Sequence, residues 1–192
     1  MNKTKVLIEV SARHVHLSKE DVEKLFGKGH GLKFWKKLSE HSDFAAEEVV
    51  DVVNERKTIG NVRVIGPVRN KRDVELAMTD AYFLKIKPMP KVCIHADENA
   101  PSVEIIGPKG KIEIPAIIKQ RHLHASDKDA EKLGLQPGDV VKIRVGKERA
   151  VVFENVIVRV DPLYKLAVHL DTDEGNAAGI SGSGEGEIVS GD

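Results

Sequence analysis

Short runs of alternating or β-branched residues recur along the chain and predict strands. Val6-Leu7-Ile8-Glu9-Val10, Asn61-Val62-Arg63-Val64, Val103–Ile106, Lys111–Ile114, Val140–Val145, Arg149–Phe153 and Asn155-Val156-Ile157-Val158 all read this way. Gly107-Pro108, Lys109-Gly110 and Pro137-Gly138-Asp139 supply turns between them. Strands this short and this closely spaced favour small β-barrels over a doubly wound α/β sheet. Helical signals are brief. Ser18 and Ser126 read as N-caps, with Asp21 and Asp129 in the first turn, opening helices that stop at Gly27 and Gly134. The segment Gly31–Val50 is expected to add helix, notably around Phe44–Val50. From Gly175 the chain is rich in Gly and Ser, and residues 179–192 are expected to form a flexible tail.

Comparing the chain with itself reveals a duplication. Residues 13–25 match residues 121–133 without a gap, at an offset of 108, and eight of the thirteen positions are identical. Each copy has an apolar approach (Val6–Val10; Ile114–Ile118), then Arg-His-x-His, then a capped helix. A weaker correspondence follows, in which Asn61-Val62-Arg63-Val64 resembles Asn155-Val156-Ile157-Val158. Fourteen residues beyond each Asn stand Glu75 and His169, so these two occupy matching places.

Composition narrows the partners. Thirty basic residues balance thirty acidic ones, which leaves no long-range field for nucleic acid or an anionic membrane. The first ten residues are interrupted by charge too early for a secretory signal, and no run approaches a membrane span, so a cytoplasmic location is expected. Cys93 is the only cysteine, which excludes an intrachain disulfide and a thiolate metal cage, and it reads as a packed strand residue.

The duplicated histidines carry the chemistry. In a strand, His at i and i+2 project to one face, so a single His-x-His offers two imidazole nitrogens to one ion. One such motif is a weak signal; two in a duplicated frame, each with a ligand-type residue at an equivalent place downstream, are a strong one. The expected ligands of two divalent metal ions are therefore His14, His16 and Glu75, with His122, His124 and His169. Three protein ligands leave coordination positions open, as in catalytic zinc sites. Zinc is the first choice, and cobalt or another transition metal suits the same donors. Arg69, in the basic loop Arg69-Asn70-Lys71-Arg72, is a candidate to hold an oxyanion or phosphate beside the metal. Arg13 and Arg121 are expected to pair with carboxylates or brace the histidine strands.

With these residues in view, the sequence resembles the phosphotransacylases of the propanediol-utilisation type, the phosphate propanoyltransferases. The resemblance runs over residues 5–178 and rests on Val10–Ser18, Phe44–Glu48, Asn61–Arg69, Arg121–His124 and His169–Glu174. It implies a mainly β chain of two small barrels with short helical caps and a di-zinc site between them. The N-terminal strand would join the C-terminal barrel, giving residues 1–12 with 120–178 as one domain and 13–119 as the other. The family's metal ligands fall on the six positions above, and its phosphate-binding arginine falls on Arg69. Members housed in microcompartments carry an amphipathic N-terminal extension; here the first strand begins almost at Met1, and shell association is not expected. A homodimer or higher homo-oligomer is implied.

The activity implied is reversible transfer of a propanoyl or acetyl group between coenzyme A and inorganic phosphate, both bound in one ternary complex. Tyr82 is a candidate stacking surface for the adenine of coenzyme A. Two alternatives use the same ligands: a metal-dependent thioesterase or other hydrolase, and a metal-binding module without catalysis.

Overall fold

The computed structural model describes residues 4–39, 42–87, 91–92 and 99–189. The chain opens with β1 (Thr4–Ser11), β2 (His14–His16), α1 (Lys19–Phe26), β3 (Phe34–Lys37), β4 (Phe44–Asn54) and β5 (Lys57–Gly66). It continues with β6 (Asp73–Glu75), α2 (Met78–Phe83), β7 (Lys91–Val92), β8 (Ser102–Ile106) and β9 (Lys111–Lys119). The last third holds β10 (His122–Ala125), α3 (Asp127–Leu133), β11 (Val140–Val145), β12 (Val151–Val160), β13 (Ala167–Asp171), α4 (Thr172–Ala178) and β14 (Ser183–Val189). Among the described residues no helix is long and apolar enough to cross a membrane.

Two compact units result, residues 1–12 with 120–192 and residues 13–119. The first is a closed barrel in the order β1-β13-β10-β12-β11-β14. Its core gathers Ile8, Leu123, Ile143, Val156, Val168 and Leu170, all at most 2% exposed. In the second unit the ring β9-β6-β2-β5-β4-β8 also closes, because β8 pairs with both β4 and β9, while β3 and β7 are added at its margins. Its core includes Val15, Leu17, Val64, Val74, Ile105 and Ile114.

The duplication extends to the sense of every strand pairing. β10 lies between parallel β12 and antiparallel β13, as β2 lies between parallel β5 and antiparallel β6. β1 is parallel to β13 and antiparallel to β14; β9 is parallel to β6 and antiparallel to β8. Matching Asn61 and Asn155 both adopt left-handed backbone, with φ of 58° and 56°, a conformation Asn tolerates better than most residues. β1 runs straight into β2 and β9 straight into β10, yet each leading strand closes the other barrel.

The capped helices form as the sequence predicts. Ser18 Oγ accepts from the amide of Asp21 and Ser126 Oγ from that of Asp129, each at 3.1 Å, and such caps are worth about 1 kcal/mol. Two expectations are corrected. Phe44–Val50 is not helix; it opens β4. A register shift between Ala45 and Val49 buries both Ala45 and Ala46, which breaks the two-residue alternation and imitates a helical pattern. Nor is 179–192 a flexible tail throughout, since residues 183–189 form β14 and close the first barrel between β1 and β11. Its glycines serve close packing: a Cβ at Gly184 would stand 2.6 Å from Ile180 Cδ1, and one at Gly186 2.7 Å from Ile8 Cδ1.

Candidate metal centres

Alternation along β2 sends Val15 into the barrel core and leaves His14 and His16 together on the other face. β6 runs antiparallel beside it with Glu75 directly opposite His14. The result is a tight triangle. His14 Nε2 lies 3.1 Å from His16 Nε2, and the two Glu75 oxygens lie 3.6 Å from His14 and His16 Nε2 respectively. Two ligand atoms bound at about 2.0–2.1 Å to one tetrahedral zinc stand about 3.3 Å apart, so the triangle has the dimensions of an ion's coordination shell.

The electrostatics suit a cation. Burial lowers the His16 pKa to about 4, so the ring is a neutral donor, and its Nδ1 has no hydrogen-bond partner among the described residues. Burial pushes the Glu75 carboxyl up, but His14, His16 and Lys119 outweigh it and hold the group well below the ordinary range. Lys119, on β9, places its Nζ 2.8 Å from Glu75 Oε1.

The other barrel repeats the arrangement with a third imidazole. Leu123 enters the core while His122 and His124 share the opposite face, and His169 on β13 stands opposite His122. The ligand atoms of His122, His124 and His169 all lie within 4.8 Å of one another. His122 Nδ1 donates to the Gln120 carbonyl at 2.9 Å, which leaves Nε2 for an ion. Tyr164 stacks on His124 with 3.8 Å between ring centroids. Glu9, from β1, brings its Oε2 to 3.6 Å from His169 Nε2.

Both arginines of the repeated motif act as braces. Arg13 pairs with Asp80 at 2.9 Å and Arg121 with Glu174 at 3.0 Å. Asp80 and Glu174 are the third residues of α2 and α4, whose side chains also accept from the amides of Ala77 and Asp171. Each brace thus ties a histidine strand to the helix that follows its third candidate ligand.

Arg69 is fixed by its own amide, which donates to the Leu17 carbonyl at 2.8 Å, and by an ion pair between its guanidinium and Asp43. Its charge acts on His16 and Asp73, which places it in the field of the His14, His16 and Glu75 cluster. Arg72 is committed elsewhere, to the buried Asp21 at 2.6 Å. Tyr82, on α2, is 68% exposed and joins neither cluster. Cys93 lies outside the described residues.

Sequence reasoning missed Glu9, Asp43 and Lys119. Extending the 108-residue offset backward would have exposed two of them, because Glu9 falls on Ile117 and Lys119 on Ser11, charges that break the repeat. Asp43 carries no such signal.

A family model described as Phosphate propanoyltransferase matches residues 7–181. The chain is similar to the phosphate propanoyltransferase of Thermotoga maritima, at 44% identity over 177 residues that span 90% of this chain and 83% of the relative. It is also similar to those of Lachnoclostridium phytofermentans, at 43% over 92% of this chain and 83% of the relative, and Salmonella typhimurium, at 37% over 93% and 86%. Since the model match and these relatives cover nearly the whole chain, it belongs to the phosphate propanoyltransferase family.

Proposed function

We propose that the chain transfers a propanoyl or similarly short acyl group between coenzyme A and inorganic phosphate, with both metal clusters serving one reaction and both substrates bound in a ternary complex. The observation that supports this reading is the pair of three-residue clusters that could each hold an ion, in a member of a family named for that transfer. Zinc best fits donors of this kind, with cobalt or another transition metal as an occupant of the same sites. Held by His14, His16 and Glu75 or by His122, His124 and His169, such an ion would supply Lewis acidity toward an oxygen and affinity for a thiolate.

The residues of the chain do the rest. The planar fork of Arg69 suits a phosphate, whose oxygens compete with the Asp43 carboxylate for the same donors. Held there, phosphate needs no chance encounter with the thioester, and orientation supplies much of the rate. A phosphate oxygen attacks the thioester carbonyl carbon; the new C–O bond replaces the C–S bond, which leaves an acyl phosphate and the coenzyme A thiolate. No side-chain nucleophile is required. Tyr82 presents an exposed ring on which adenine can stack.

The test is release of coenzyme A from acetyl-, propanoyl- and butanoyl-CoA on metal-quantified protein, with and without phosphate. Release only with phosphate is the expected result. Undiminished release without phosphate would establish a hydrolase, and metal-replete protein indifferent to both substrates a binding module. Arg69→Ala is expected to raise the phosphate KM at least tenfold, about 1.4 kcal/mol, with metal content unchanged.

A further inference from the structure

The two strands exchanged between the barrels carry the charges that break the duplication. Pairing of β1 with β13 sets Glu9 opposite His169, and pairing of β9 with β6 sets Ile117 opposite Glu75, so Glu9 and Ile117 are equivalent. Two residues further on, Ser11 corresponds to Lys119. Each unmatched charge lies against the third ligand of its own barrel. Glu9 Oε2 is 3.6 Å from the imidazole of His169, and Lys119 Nζ is 2.8 Å from the carboxylate of Glu75.

The sign of each charge opposes what the ligands alone would give. Three imidazoles leave a divalent ion with its full charge of two, and Glu9 brings that barrel down by one. Two imidazoles and Glu75 leave a charge of one, and Lys119 raises that barrel back to two. Metal affinity follows negative charge around the ion, and affinity for an anion follows the positive charge left over. Arg69 adds its charge to the same barrel, where the carboxylates of Asp43 and Asp73 stand against it, so the unmatched Lys119 remains the charge that offsets Glu75.

We propose that Glu9 and Lys119 reverse the order of the two sites: Glu9 makes the His122, His124 and His169 site the tighter metal site, and Lys119 makes the His14, His16 and Glu75 site the weaker one and the one that receives the anionic substrate. With Glu75 shared with an ion, the Lys119 ammonium beside it would be a donor for phosphate. This rests on the reading of both clusters as metal sites.

The experiment titrates Zn2+ into chelator-stripped full-length protein against a chromophoric competitor. Two binding steps are expected, the tight one absent in His124→Ala and the weak one absent in His16→Ala. Glu9→Gln is expected to weaken the tight step about tenfold and Lys119→Met to strengthen the weak step by a similar factor, in keeping with outer-shell effects on metal sites. Glu9→Asp and Lys119→Arg retain the charges and should behave as the parent. Inorganic phosphate should tighten the weak step in the parent and not in Lys119→Met. Lys119→Ser, which installs the residue of the matching position, repeats the test if the Met variant misfolds, and Glu9→Ser does so for the Gln variant. Shifts under twofold, shifts in the opposite sense, or effects on the other step would overturn the proposal. Parent protein that binds no zinc would instead overturn the metal reading beneath it.

Discussion

The two barrels share every strand pairing of their six-membered rings, yet they differ in what those strands present. One supplies three imidazoles, the other two imidazoles and a carboxylate. The difference teaches which part of a duplicated site is constrained. Pairing senses and register are held by backbone hydrogen bonds that do not depend on side-chain identity, so the third candidate ligand stays in place while its chemistry changes. The neighbours then follow the ligand, with an anion beside the imidazole and a cation beside the carboxylate.

The most severe way to break the comparison is to remove one ligand from each barrel. His16→Ala and His124→Ala should each lose one metal equivalent and about a thousandfold in transfer activity, roughly 4 kcal/mol, by metal analysis and initial rates. Full activity in either variant would show that the barrels do not contribute to the same reaction.

The residue between the paired histidines sharpens the comparison at the level of stability. Val15 and Leu123 occupy matching core positions and both are fully buried. Leu123→Ala should cost about 2–5 kcal/mol and Val15→Ala about 2 kcal/mol, measured by denaturant unfolding. Equal costs would mean that the larger side chain leaves no larger cavity.

The braces come next. Arg13→Ala and Arg121→Ala should each weaken zinc about tenfold in its own barrel alone, about 1.4 kcal/mol, by competition titration. A shared effect on both ions would show that the arginines act on the whole fold and not on one ligand set.

Much of this was legible before the structure. The gap-free match of 13–25 with 121–133 located both histidine pairs and both capped helices, because short-range signals of strand, cap and stop agree there. Glu75 and His169 were legible because each stands fourteen residues beyond its Asn, and Asn61 and Asn155 share a left-handed backbone. β4 was not, because its bulge falls where two alanines favour helix, and tertiary pairing overrides that preference. β14 was not, because Gly184 and Gly186 read as flexibility until the side chains of Ile180 and Ile8 are seen to require them. Asp43 stays silent in sequence because its partner Arg69 is 26 residues away and neither belongs to a repeat.

The smallest effect tests a difference behind the ligands. Asp73 lies opposite His16 on β6, whereas the matching residue opposite His124 is Ala167. The Asp73 carboxyl is buried, its Oδ1 has no hydrogen-bond partner among the described residues, and burial followed by the charge of Glu75 pushes its pKa up to about 6. A carboxyl raised in this way binds more protons folded than unfolded between its ordinary value of 3.8 and about 6, so stability falls as pH rises through that window. His16 does the reverse: its pKa is lowered from 6.5 to about 4 by burial, the unfolded chain binds more protons, and stability rises with pH over nearly the same range. Glu75 adds a rise only at lower pH, as its folded pKa lies well below 4.5. In metal-free protein the Asp73 and His16 slopes therefore oppose each other. Asp73→Ala installs the residue of the other barrel and removes the Asp73 slope alone. Asp171 and Glu174, whose carboxyls burial also pushes up, the latter to about 7, keep their falling slopes in both proteins, so the variant's unfolding midpoint should rise relative to the parent's between about pH 4 and 6. Parallel pH profiles for the two proteins would show that Asp73 keeps an ordinary pKa, and that the two barrels do not differ at this position in the protons they hold.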